Sequence, residues 1–322
     1  MKNIPYYIAI GILAAVSASC GKESVSKVST FPEDGVVRIN AMVTSASPET
    51  GTPATRADAV ASTEYSGNDL GFFIDYKYGP YTRSNVCWKK DPDKGWQPES
   101  QMLWKDAKSN ADIYAYAPYS DGVTDTTKVG FTVPANQLDG TGAADLLWFA
   151  HKQFDPNSDL SSNKAIDITF NHALVKLTIN ITKGDQFDGK SISINEVLLN
   201  GTTSNVECNI TNGKVSAVGG SAMVDISMHS AGTADGKENY DAIFWPGDGQ
   251  KIGAKMVTVT MSDGKEYNLT LGQNLTLLGG HAYTMTVKVG KDRLEAGTVV
   301  VAGWNETPVD INDGNEFEAD QI

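Results

Sequence analysis

Cys20 is the residue with the clearest chemistry in this chain. Lys2 supplies a positive start, residues 4–16 are apolar apart from breaks at Pro5 and Gly11, and the small residues Ser17, Ala18 and Ser19 lead into the thiol. That order reads as a secretory leader, too short to cross a bilayer as a stable helix and ending at a cleavage point. A cysteine at the cut becomes the new N-terminus and a site for thiol acylation, the bacterial lipoprotein arrangement, although Ser17 stands where such sites usually carry leucine. The plainer alternative is a secretory leader followed by an incidental cysteine. Acylated, Cys20 would hold the chain on a membrane, since each buried methylene adds ~0.8 kcal/mol and several acyl chains make anchoring stable.

Other reactive groups do not assemble into a site. None of His151, His172, His229 and His281 has a second His or Cys at metal-ligand spacing. Asp91, Asp93 and Gly95 begin like a calcium loop, but glycine at its fifth position and Met102 at its twelfth break the pattern and leave a turn. Nucleophile-elbow, phosphate-loop and dinucleotide patterns are missing. Carboxylates are many, yet nothing singles out a glycosidase pair. The expectation is a protein that is not an enzyme and uses no cofactor and no metal. A net charge of −13 argues against nucleic acid, which requires a basic field. An export compartment permits a disulfide between Cys87 and Cys208, while their separation and different settings favour two small apolar strand residues. Trp96, Trp104 and Tyr119 offer either a sugar-stacking platform or core packing, and the second is the simpler reading. His172 reads as a satisfied structural histidine.

The elements that would carry these residues are strands. Residues 36–43 alternate, with Val37, Ile39, Ala41 and Val43 on one face after Val36. The Ser-, Thr- and Pro-rich residues 44–61 follow, with Arg56 as their only basic residue. Residues 1–19 are the leader and 20–56 a tether, an early strand and a cleavable segment. One β unit is expected over 57–184 and a second over 185–322, divided near residues 184–189. Hairpin turns are predicted at 91–95, Asn212-Gly213 and Asp263-Gly264. Amphipathic helices longer than about three turns are missing, so the fold class is all-β, with antiparallel sandwiches. Residues 310–322 hold five acids and no base.

Several short motifs then occur in a fixed order. They are Cys20, the early strand with Arg56 after it, Asp145-Leu146-Leu147, Phe170-Asn171-His172-Ala173-Leu174, Trp245-Pro246-Gly247, Gly280-His281-Ala282-Tyr283, and Val300-Val301-Ala302-Gly303-Trp304-Asn305. Together they resemble the fimbrillin family of Bacteroidetes, the FimA-like and Mfa-like subunits of type V pili, from Cys20 to Asn305. The resemblance implies two transthyretin-like β-sandwich domains in tandem and an outer-membrane lipoprotein displayed on the cell surface in fimbriae. It implies lipidation at Cys20, cutting between Arg56 and Ala57 by an arginine-specific protease, and loss of the strand carrying Val36, Val37, Ile39, Ala41 and Val43. A strand from another fimbrial subunit would fill the vacated groove. The apolar strand with Val299, Val301 and Trp304 is then either a donor or contact strand or a core strand. The implied partners are other fimbrial subunits, the outer membrane through the lipid, and a ligand on a host or bacterial surface. The alternatives are an accessory or tip fimbrial protein, and a surface lipoprotein that binds glycans without polymerising.

Overall fold

The structure, a computed structural model, describes residues 29–44, 62–247, 254–272, 274–290, 293–302, 304 and 309–310. Cys20, Arg56 and Ala57 lie outside the described residues. The first half runs β1 (Ile39–Thr44), β2 (Ser62–Glu64), β3 (Asp69–Asp75), β4 (Arg83–Asp91), β5 (Gly95–Pro98), β6 (Ala111–Ala117), β7 (Val129–Thr132), β8 (Leu147–Phe154) and β9 (Ile166–His172). The second runs β10 (Val175–Lys183), β11 (Ile194–Thr203), β12 (Asn205–Asn209), β13 (Lys214–Ala217), β14 (Met223–Ser227), β15 (His229–Ala234) and β16 (Lys237–Phe244). It ends with β17 (Lys255–Met261), β18 (Glu266–Thr270), β19 (Ala282–Val289), β20 (Leu294–Ala302) and β21 (Val309–Asp310). The helical elements among the described residues are two single 3-10 turns, Gly142–Ala144 and Asp185–Phe187. The fold is all-β.

Four sheets form, in the orders β2-β1-β9-β8-β6-β3-β4-β5, β15-β16-β10-β19-β20-β21, β14-β11-β17-β18 and β13-β12-β7. Neighbours are antiparallel except for two parallel pairs, β1 on β9 and β10 on β19. Buried side chains gather in two clusters, one under the eight-stranded sheet and a larger one among the other sheets. The central strands of the eight-stranded sheet divide them. Phe72, Ile74, Ile113 and Ala115 point into the smaller cluster, while Phe73, Tyr114 and Tyr116 point into the larger. Burial on both faces explains why β3 and β6 read as almost unbroken apolar runs rather than alternating ones.

Sheet membership changes between β9 and β10, at Ala173 and Leu174, ahead of residues 184–189 where the sequence suggests a division. The inward residues of β10, Leu177, Ile179 and Ile181, are buried in the larger cluster, which draws that strand into the second half. β7 also crosses over, pairing with β12. The three predicted hairpins form, joining β4 to β5, β12 to β13 and β17 to β18. At the first, the Asp91 carboxylate accepts from the amides of Asp93 and Lys94, both at 2.9 Å, an Asx turn. Gly213 is required twice over: its φ is +74°, and a Cβ there would lie 2.3 Å from the Trp148 ring.

Candidate functional site

β1 is seated in the smaller core. Val37, Ile39 and Ala41 are buried among Trp88, Trp96, Met102, Ile166, Ile168 and Phe170, while Val36 and Val43 are half-buried. Alternation turns the apolar residues inward, and the intervening Asn40 donates to Asp167 at 2.7 Å on the polar side. The parallel register pairs Ile39 with Ile166, Ala41 with Ile168 and Val43 with Phe170. On its other edge β1 has a partial set of partners among the described residues. Just ahead of the strand the Val37 amide donates to the Met102 carbonyl at 3.0 Å, and on the strand itself the Ala41 carbonyl accepts from Tyr65 at 3.0 Å and β2 pairs with residues 42–44. Between those contacts lies a cleft of about 830 Å³, lined by β1 on one side and by β5, with Trp96, Gln97 and Pro98, on the other. The two ends of the eight-stranded sheet thus face each other across a gap.

Ahead of β1, the Arg38 guanidinium holds Asp34 through two nitrogens, and this hydrogen-bonded pairing keeps the Asp34 carboxyl down at about 2. A lowered carboxyl pKa means the contact is complete at neutral and mildly acid pH and is lost only as pH falls toward that value.

The short sequence motifs converge on the seam between the halves. His172 is 7% exposed, and its Nδ1 lies 2.9 Å from Asp145 Oδ1. Its ring stacks on Trp304 with centroids 3.6 Å apart and planes within 9°. Leu147 is the ladder partner of His172, and the Ala173 amide donates to Leu146 at 2.8 Å. The Gly280 amide donates to Leu174 at 2.7 Å, and the Lys176 amide to His281 at 3.1 Å. Val175 pairs with Phe244, just ahead of Trp245. A Cβ at Gly279 would lie 2.6 Å from the Ala173 carbonyl oxygen, which is backbone and cannot swing aside. Gly279→Ala is therefore expected to lower unfolding stability by about 1–3 kcal/mol, measured by urea denaturation; an unchanged midpoint would mean the seam is looser than drawn.

A family model described as fimbrillin-like matches residues 51–304. The chain belongs to the fimbrillin-like family. That family is one of fimbrial structural and adhesion proteins, not of enzymes, and it places the chain among cell-surface fimbrial subunits. The match begins after β1 and before Arg56. No curated protein matches this chain. Among solved structures, a Bacteroides ovatus protein ascribed to cell adhesion aligns with a TM-score of 0.60 and 16% identity, covering 84% of this chain and 98% of its own. A Bacteroides uniformis protein, likewise ascribed to cell adhesion, gives 0.54 and 17%, covering 85% of this chain and all of its own. At such identities the likeness is one of fold.

In this fimbrillin-like chain Val299 is buried in the larger core, and Val301 pairs with Tyr283 on one side and Val309 on the other. Trp304 is half-buried on His172. Val299 and Val301 thus have neighbours within their own sheet, and Trp304 at the seam. Trp96 and Trp104 form no open platform: Trp96 stacks on Tyr65, Trp104 stacks on Phe154, and both are buried. Among the described residues no group of three or more His, Cys, Asp or Glu is placed to hold a metal, and no helix is long and apolar enough to cross a membrane. Cys87 and Cys208 are buried free thiols on different sheets. Burial pushes Cys87 up to about 11 and Cys208 up to about 12, so both stay protonated. Neither thiol of the folded protein is expected to react with an aromatic disulfide reagent at pH 8, and both should react in denaturant. A rapid native reaction would contradict this packing.

Sequence reasoning found the alternation of β1 but missed its cleft and its parallel direction. It also missed the pairing of Asp145 and Trp304 with His172, which no local spacing encodes.

Proposed function

We propose that this chain is a fimbrial subunit exported as a lipoprotein through Cys20, cut between Arg56 and Ala57, and assembled by exchange of β1 for a strand of another subunit. The observation that carries the reading is the seat of β1. It is a buried, alternating strand whose route to the rest of the chain is the segment 45–61, which contains Arg56. One cut there converts an intramolecular strand into a dissociable one. Its departure would bare Ile166, Ile168 and Phe170 and the β9 edge, and would strand β2, whose ladder partner among the described residues is β1. Backbone groups left dry and unpaired cost about 1–3 kcal/mol each, and a donated strand restores both kinds of contact. A lipid on Cys20 would leave with the removed segment, so cutting also frees the subunit from the membrane. Subunit contact through Val299, Val301 and Trp304 would use the outer edge of β20, along which β21 covers Val300 and Val301.

Arg38 precedes β1 directly and is held by Asp34, so a protease that needs an extended substrate should pass it over. In limited digestion of the chain from Gly21 with an arginine-specific protease, cutting is expected first at Arg56. Intact mass should show loss of residues 21–56, and size-exclusion chromatography should show growth of multimers. Arg56→Ala should abolish both. Clean cutting at Arg56 that leaves a stable monomer would overturn strand exchange.

A further inference from the structure

The cleft side of β1 is covered at two points and open between them. The Arg38 carbonyl accepts from Ile166 at 2.8 Å, so Arg38 turns its backbone to β9. Residues 37, 39 and 41 therefore turn theirs the other way, toward the cleft. Val37 is met there by Met102, and Val36 bridges Leu103 in the antiparallel sense. Ala41 is met by Tyr65, in line with antiparallel β2. These two coverings leave residues 38–40 without a neighbouring strand on that side among the described residues, a gap of about 10 Å. The amide and carbonyl of Ile39 face the gap, and neither has a hydrogen-bond partner among the described residues.

The strand across the cleft competes poorly for an incoming backbone. The Gln97 Nε2 donates to the Lys94 and Trp96 carbonyls, at 2.9 and 3.0 Å, and Pro98 has no N–H to offer. The cleft lining is divided in character. Trp88, Trp96 and Met102 make an apolar wall in the core toward which Ile39 points. Arg38, Lys90 and Lys94 also line the cleft, with Glu64 as the one acid among the described lining residues. That is a local excess of positive charge in a chain of net charge −13. Lys90 holds Glu64 at 2.8 Å and Arg38 holds Asp34, whereas Lys94 is exposed and in no ion pair among the described residues.

We propose that this gap is a peptide-binding site for a short acidic segment of another protein, extended and antiparallel to β1. The central residue of that segment lies opposite Ile39 and exchanges both backbone hydrogen bonds with it. Its side chain is apolar and turns inward, as that of Ile39 does. The residues on either side turn outward, where carboxylates suit the cationic rim. The ligand class is therefore acid–apolar–acid. Tyr65 and Met102 close the line at both ends, so the segment comes from a chain end or a loop tip. The site needs β1 in its seat but not its later exchange, so either reading can fail without the other.

The test uses the uncut chain from Gly21 carrying 5-fluorotryptophan, with the Trp96 and Trp245 fluorine resonances assigned by their loss in the Trp→Phe variants. Acetyl-Glu-Val-Glu should shift the Trp96 resonance saturably and leave that of Trp245 in place, and acetyl-Lys-Val-Lys should shift neither. Methylating the valine nitrogen removes the donor to the Ile39 carbonyl and should weaken binding about tenfold. Methylating the first glutamate nitrogen, which points away from β1, should leave the affinity unchanged. Lys94→Glu, at an exposed position, should keep the fold and weaken binding about fivefold, the scale of one exposed charge pair. Equal shifts by the two peptides, or indifference to valine methylation, would overturn the site. A shift by trigalacturonate and none by acetyl-Glu-Val-Glu would assign the cleft to an acidic sugar and overturn the peptide reading. Peptide binding that emerges only after deletion of residues 310–322 would mean that the chain's own acidic end fills the gap, against a partner in trans. Failure of multimers to grow after cutting at Arg56 is a separate readout and bears on strand exchange alone.

Discussion

Ile39→Asp is expected to lower the unfolding stability of the full chain by about 3–5 kcal/mol and to leave β1 undocked. Ile39 is 5% exposed at the start of the strand, with Val37 just ahead of it and Ala41 within it as its inward neighbours and Ile166 opposite. The substitution removes most of a buried branched side chain and puts a carboxylate among the apolar side chains of Trp88, Met102 and Ile168. Releasing the strand returns the carboxylate to water, whereas protonating it in place still leaves an unpaired polar group in the core, so hydrogen exchange should rise along β9 while the larger core stays protected. Ile39→Val, one methylene smaller, should cost about 0.5–1.5 kcal/mol and keep β1 in place. Urea denaturation with exchange mass spectrometry reads both. An Ile39→Asp protein with wild-type stability and a protected β9 would mean that β1 does not plug the groove in solution, and the assembly reading would fall with it.

The floor of the same groove supplies the second large effect. Trp88 is 1% exposed, packs at a tilt on Phe72 with ring centroids 5.8 Å apart, and lines the cleft beneath β1. Trp88→Ala should cost about 3–5 kcal/mol, the transfer loss plus a cavity that the surrounding strands cannot close. Trp88→Phe should cost less than about 1.5 kcal/mol, because the Trp88 Nε1–H has no partner among the described residues and its removal gives back part of the lost packing. The contrast between the two variants is the test. Equal losses would mean that the indole N–H is hydrogen-bonded in solution and that polar groups reach the groove floor.

These effects bear on function through one strand. β9 is joined to β8 on one side through Leu147 and Trp148, which pair with His172 and Asn171, and on the other side it carries β1. The β1 side is the one a single cut at Arg56 would open. A surface strand edge left open invites aggregation. On the proposed reading, a precursor that kept its edge covered by its own strand until processing would avoid that fate during export.

The sequence by itself determined the class of the fold, the turns and the alternating faces. Each of these is local. Period-two patterning declares a strand and its buried side, and Asp91, Asn212-Gly213 and Asp263-Gly264 carry turn chemistry within a few residues. The ordered motifs were equally legible as a family signature, though nothing in their spacing says why they recur. Tertiary structure decided what those faces meet. Alternation cannot say which neighbour a strand takes or in which direction, so the parallel seat of β1 and the move of β10 into the second half came from long-range burial. The same holds for the aromatics. Trp96 and Trp104 have the composition of an open platform, and only the packing of β5 and of the segment before β6 turned them inward. His172, Asp145 and Trp304 are far apart in sequence, and they meet because β8, β9 and β20 end at one seam. A contact between distant strand ends leaves no local trace, since what selects it is the burial of two sheets against each other.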